Sequence, residues 1–241
     1  MSTSFKKSWC IAAVVLVALA VAGPSVRAED EGAATETTQA EGSGADLTPL
    51  AIELPEPCYM GTPLDYWSDH LEITFKKREP FMAPEGAANV AKDKLVTGSA
   101  RPSIGKLAMI TDGNKSATEE SVVELPTGVQ HVQVDLGAQH ELYAIVVWHF
   151  HAEERVYFDT ICKVADDKDF TENVVTLWNN DFDNSSGLGV GKNKEYIDNY
   201  EGRLIDAHGK KARFVRLYSN GNTSDDMNHY IEIEVYGKPV P

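Results

Sequence analysis

No segment of this chain repeats its apolar residues with the 3.6-residue period of a long helix. Instead, short apolar or alternating runs recur between Gly and Asn turns. Val132-Gln133-Val134-Asp135-Leu136 alternates as a half-buried strand does. Leu142 to Phe150 is continuously apolar and rich in β-formers, which predicts a central strand. Val156 to Val164, Val174 to Trp178, Phe214 to Tyr218 and Tyr230 to Tyr236 supply four further candidates. Asp112-Gly113, Leu136-Gly137, Ser186-Gly187, His208-Gly209 and Asn220-Gly221 supply the turns between them. Many short strands with such turns predict an all-β sandwich or jelly roll.

The ends of the chain have a different texture. Lys6-Lys7 precede a 14-residue apolar stretch from Trp9 to Ala22, and Val26-Arg27-Ala28 fit a small-residue cleavage site. A membrane-spanning helix needs roughly 20 apolar residues. Residues 1–28 are therefore read as a signal peptide, the alternative being an uncleaved N-terminal anchor. Residues 29–48 carry no bulky side chain before Leu47 and are read as a disordered acidic linker. Residues 49–88 are punctuated by six prolines and are read as an extended arm on the main domain, residues 89–238. The expected location is secreted or periplasmic, at the cell envelope, with no membrane insertion after signal cleavage.

Charge narrows the partners. Lys+Arg total 22 against 37 Asp+Glu, a net of -15. Without Lys6, Lys7 and Arg27 the balance is 19 − 37 = −18. Phosphate backbones are bound by clustered Lys and Arg, so nucleic acid is a poor partner. Export permits a Cys58–Cys162 disulfide; two small buried apolar residues are the other reading.

Five motifs, in order, resemble coagulation factor V/VIII type C (discoidin) domains of the galactose-binding-like superfamily. They are Asn89-Val90-Ala91 with Val96-Thr97-Gly98-Ser99, Ile110-Thr111-Asp112-Gly113, Val132 to Gly137, Ala212 to Leu217, and Glu232 to Gly237. His131 stands where Trp is usual in the third. The resemblance implies an eight-stranded jelly-roll β-sandwich with a binding role, commonly for glycans, and one structural calcium ion. Carried onto this sequence, Asp112 and Glu232 would supply carboxylates to that ion. Asn114, Ala117 and Leu107 or Ala108 would supply carbonyls, and Thr118 or Ser116 a hydroxyl. The loop reads Asn114 to Ser121 without the family's Trp.

Ligand-binding candidates are polar residues near expected strand ends: His149, His151, Arg155, Asn180, Asp181, Asp183, Asn220, Asn222, His229 and Tyr230. His149 and His151 share a strand face, as metal ligands or structural histidines do, and Trp148 falls on the opposite, core face. The run Asn179 to Gly187 offers side-chain oxygens either to a second calcium or to its own backbone as an Asx-rich loop. Gly-x-Ser-x-Gly, His-Glu-x-x-His and phosphate-loop motifs are absent from the sequence. The expected function is a non-catalytic binding module for a glycan. The alternatives are an adhesive module contacting a cell-surface protein and a metal-dependent hydrolase using His149, His151 and Asp181.

Overall fold

Two long strands set the architecture seen in the computed structural model, which describes residues 46–58, 65–74 and 76–240. The expected signal peptide, and the expected linker up to residue 45, lie outside the described residues. The arm contributes β1 (Leu47–Pro49), β2 (Leu71–Glu72) and β3 (Met82–Pro84). Then follow β4 (Ala88–Asn89), β5 (Leu95–Gly98), a 3-10 turn (Leu107–Thr111), β6 (Val123–Leu125), β7 (Gln130–Trp148) and β8 (Ile161–Ala165). The remainder is β9 (Val175–Asn179), β10 (Glu195–Tyr196), β11 (Arg203–Ser219), β12 (Asn228–Tyr230) and β13 (Glu232–Pro239). Among the described residues, no helix is long and apolar enough to cross a membrane.

β7 and β11 pair antiparallel from end to end, but the register slips twice. Asp206 faces Ala144 while Lys210 faces Leu142, and Ala212 faces His140 while Phe214 faces Asp135. Extra residues in one strand of a pair bend it and increase its twist. Here they include His208, Gly209 and Gly137, with φ of 52°, 68° and 84°. Each long strand therefore serves two layers. Ahead of its bend, β7 pairs with β5; beyond it, β7 pairs with β13, on whose far edge β4 lies. The distal half of β11 carries β8, and β8 carries β9. The result is a β-sandwich whose layers are β4-β13-β7-β11 and β5-β7-β11-β8-β9.

Side-chain alternation explains what fills it. Val132, Val134, Ile145, Val147, Ile205, Val215, Leu217, Ile233 and Val235 form one buried cluster between the layers. Ala144, Val146 and Trp148 point the other way, into a second cluster with Ile231 and Tyr236. Leu50, Ile52 and Phe81 of the arm pack against that second cluster. The uninterrupted apolar run at 142–148 thus has a cause: this part of β7 is buried on both faces. Fully burying a Val, Leu or Ile side chain contributes about 1.5–3 kcal/mol each.

The strands differ from the sequence expectation in several places: the run expected over Tyr230–Tyr236 is split at Ile231 into β12 and β13, and that over Phe214–Tyr218 is the end of β11, which begins at Arg203. The predicted strands 132–136 and 142–150 are one strand, because Gly137 makes a bulge and not a reversal. The strand predicted over 156–164 begins at Ile161, since Asp159 takes a left-handed φ of 50°. Leu47 and Thr48, placed in the linker by composition, pair with Pro84 and Ala83 in β1. Cys162 lies in the core, Cys58 is exposed, and both are free thiols.

Candidate functional site

The first constellation joins the loop after the 3-10 turn to the start of β13. Gly113, at φ 84°, donates its amide hydrogen to Glu232 Oε1 at 3.1 Å. Asp112 Oδ1 accepts from the Asn114 amide at 2.8 Å, and Asn114 Oδ1 from the Ser116 amide at 3.1 Å. Thr118 Oγ1 lies 2.9 Å from Ser121 Oγ. Glu232 is fully buried, and its Oε2 has no partner among the described residues. Burial, then the negative charge of Glu234 and Asp112, push its carboxyl up to about 9. Lys115 does not neutralise it by contact, for its ammonium binds Glu234 Oε1 at 2.8 Å and the Glu53 carbonyl at 2.7 Å. A lone buried carboxylate beside a second acid is what a hard cation relieves. Glu232 offers a vacant oxygen to such an ion, and the carbonyls of Asn114 and Ala117 accept no hydrogen bond among the described residues, while the Lys92 ammonium donates to the Asp112 carbonyl.

The second constellation is the Asn179–Gly187 loop. Carboxylate oxygens of Asp159, Asp181 and Asp183 lie within 4.8 Å of one another. Ser185 Oγ donates to Asp159, and the Ser185 and Ser186 amides to Asp181. Asn220 Nδ2 donates to Asp159 Oδ2 at 2.8 Å. Burial raises the Asp159 carboxyl, and the charges of Asp181 and Asp183 add to the rise. Hydrogen bonds from Ser185 lower that of Asp183. The group can hold a metal ion, and much of its oxygen capacity already satisfies its own loop. Sequence reading missed Asp159, which is far from the loop in sequence. The pairing of β8 with β9 places Ile161 opposite Asn179 and so brings Asp159 alongside Asp181.

The other ligand-binding candidates are mostly internal. His149 is fully buried, 3.3 Å from Asp198 Oδ2, and stacks on Tyr157 with ring centroids 4.3 Å apart. His151 turns elsewhere, with Nε2 2.9 Å from the Lys115 carbonyl, so the two histidines serve different partners. Arg155 is held by Glu153 and Asp225 and lies over the Phe150 ring. Asn222 braces Asp225 and Met227, and His229 faces Glu124 at 3.3 Å. Tyr230 is core, its hydroxyl 2.9 Å from Ser219 Oγ. Asn180 is buried, and neither side-chain amide atom has a partner among the described residues. Asp183 is exposed and Asn220 half-buried.

Among the described residues, the most exposed Trp, Phe or Tyr lies in the arm instead. Trp67 is 76% exposed. Close by in the chain, His70 stacks on Phe182 at 4.1 Å, and Phe182 is itself 40% exposed. Tyr66 donates its hydroxyl to Glu195 Oε1 at 2.8 Å, fixing this part of the arm beside the loop. The sequence signal for this site was a Trp within a Pro-rich segment without core periodicity.

No family model matches the chain, and no curated protein matches it. Among solved structures, the chain is similar to a family 89 glycoside hydrolase from Clostridium perfringens, at TM-score 0.48 and 20% identity over 63% of this chain. The chain spans 15% of that enzyme chain's length. A CBM32 module produced by the same organism, in complex with GlcNAc-alpha-1,4-galactose, aligns at TM-score 0.47 and 18% identity, covering 64% of this chain and 96% of the module. A Streptococcus pneumoniae fucose binding module aligns at TM-score 0.45 and 18% identity, covering 62% and 97%.

Proposed function

We propose that this chain is an exported, non-catalytic carbohydrate-binding protein that holds a structural calcium ion. The observation that carries the reading is the solvent-facing aromatic surface of Trp67 and the His70–Phe182 stack. Trp67 and Phe182 each leave an aromatic face open to solvent, where it can pack against an apolar ligand surface. Pyranose rings present apolar C–H faces that stack on such side chains, while their hydroxyls donate hydrogen bonds to carboxylate neighbours. Asp183, exposed on the same loop as Phe182, is such a neighbour. The five ordered discoidin-like motifs support the same reading, three of them falling in β7, β11 and β13.

In this reading Glu232 and Asp112 hold calcium with the Asn114 and Ala117 carbonyls. When bound, the ion supplies positive charge that lets Glu232 ionise in its buried place, and so fastens the 113–118 loop to β13. Affinity gel electrophoresis against a panel of soluble polysaccharides tests the carbohydrate reading. Retardation by at least one of them is expected, weakened in Trp67→Ala. Uniform migration on every gel would count against it.

A further inference from the structure

The outer face of the β5-β7-β11-β8-β9 layer carries a line of polar side chains. Val132, Val134, Cys162, Val164, Val215 and Leu217 turn into the core, so alternation turns Gln133, Lys163 and Arg216 outward. Strand pairing sets these in one row. Thr97 faces Gln133, Gln133 faces Arg216, Arg216 faces Lys163, and Lys163 faces Thr176. At about 4.8 Å per strand the row is about 19 Å long. Thr97 and Thr176 at its ends are exposed, and Arg216 and Lys163 between them are half-buried.

The meeting of Arg216 with Lys163 is unfavourable on its own terms, because like charges directly opposite on neighbouring strands repel. Among the described residues, neither base is in an ion pair. In a chain with 37 acids and 22 bases, this is a local reversal of sign. Arg216 is held by neutral acceptors: Gln133 Oε1 at 2.8 Å, and the Tyr218 hydroxyl and Lys168 carbonyl, both at 3.1 Å. Those bonds fix the guanidinium and leave its charge uncompensated. The Lys163 ammonium lies over the Tyr218 ring at 5.8 Å. Acids on neighbouring elements are engaged elsewhere. Asp135 binds Arg213 at 2.7 Å, and Asp167 accepts the amide hydrogens of Asp169, Thr171 and Glu172. The positive field reaches the next side chain, since the Arg216 charge adds to burial in lowering the His131 imidazole.

A carboxylate between Lys163 and Arg216 would remove the repulsion and accept charge-assisted hydrogen bonds, which are the strong kind. A densely charged polyphosphate fits less well, because the chain as a whole is strongly negative. Hydroxyls of Thr97 and Thr176 can both give and take hydrogen bonds, as the hydroxyls of a sugar require. We infer that this row is a binding site for an acidic saccharide, whose uronate carboxylate lies between Lys163 and Arg216. The inference rests on the carbohydrate reading above and names a ligand class for a second face of the protein.

Isothermal titration calorimetry with an oligogalacturonate and with its methyl ester tests it, since esterification removes the charge and keeps the sugar. The acid should bind at least tenfold more tightly than the ester, and less tightly as salt is raised. Lys163→Gln breaks no hydrogen bond or ion pair, so it should keep the wild-type thermal midpoint and bind the acid about tenfold more weakly. Lys210→Gln, on an exposed position at the bend of β11, changes the net charge equally and should bind as the wild type does. Equal weakening in both variants, or acid and ester that bind alike, would overturn the site. An acid that gives no heat would overturn it too, and the carbohydrate reading stands if a neutral polysaccharide still retards the wild type. A wild type that binds neither the acid, the ester nor any neutral polysaccharide would overturn both.

Discussion

Glu232 Oε1 accepts the Gly113 amide hydrogen at 3.1 Å, while Glu232 Oε2, equally buried, has no partner among the described residues. One carboxylate is thus half satisfied by the loop it supports. Added calcium is expected to raise the thermal midpoint. A ligand at a hundredfold its Kd stabilises by about 2.7 kcal/mol. Glu232→Gln should abolish the response. The calcium-free variant should be about as stable as the calcium-free wild type, because burial already keeps that carboxyl protonated at neutral pH and the amide is likewise uncharged. Scanning calorimetry with calcium and with chelator measures both.

Gly202 sits against Trp148, with φ at 65°. A Cβ there would come within 2.7 Å of the Trp148 ring. Both left-handed strain and overpacking oppose Gly202→Ala, which should cost about 1–3 kcal/mol. Because Trp148 Nε1 also donates to the Tyr200 carbonyl at 2.9 Å, the indole holds the Tyr196–Leu204 segment as well as the core. Denaturant titration followed by Trp fluorescence reads the loss; a wild-type midpoint would show that the segment shifts freely.

His131 should make the fold acid-sensitive. Burial, with Arg216 adding to it, pulls its imidazole from the ordinary 6.5 down to about 4. Between these values the unfolded chain takes up a proton that the folded chain refuses. Stability from this group is full above 6.5, falls as pH drops towards 4, and falls no further below. Each pH unit costs at most about 1.4 kcal/mol, and less here because the ring is half-exposed to solvent screening. The difference in stability between pH 7 and pH 4.5 should shrink in His131→Gln, measured by urea titration at both values.

Trp67→Ala should separate binding from folding. The ring is 76% exposed, so its loss should move stability by less than about 0.5 kcal/mol. Retardation on a polysaccharide gel should weaken. A variant that binds as well as the wild type would assign the exposed ring to another contact.

The β class was legible because its signal is local: alternation at 132–136, apolar continuity at 142–148 and Gly turns. What local patterning did not reveal was that Gly137 bends a strand instead of ending it, since a bulge and a turn use the same residue in the same left-handed conformation. The Glu232–Gly113 meeting came from the family resemblance, as 119 residues separate the two. Tyr230, His149 and Arg155 were singled out for their polarity, yet each is consumed by internal partners that pairing of distant strands creates. Asp159 and Lys163 were passed over for the converse reason. They look ordinary in sequence and gain their setting from where β8, β9 and β11 fall.

The position of β13 governs the order in which this fold can be made. It lies between β4 and β7, and its partner residues run to Pro239. Until Glu232–Pro239 has left the ribosome, β4 has no neighbour and β7 keeps one long edge unpaired. The sandwich therefore closes only once β13 is there to pair with both. Before that, one edge of the apolar 142–148 part of β7 stands open to pairing with another chain.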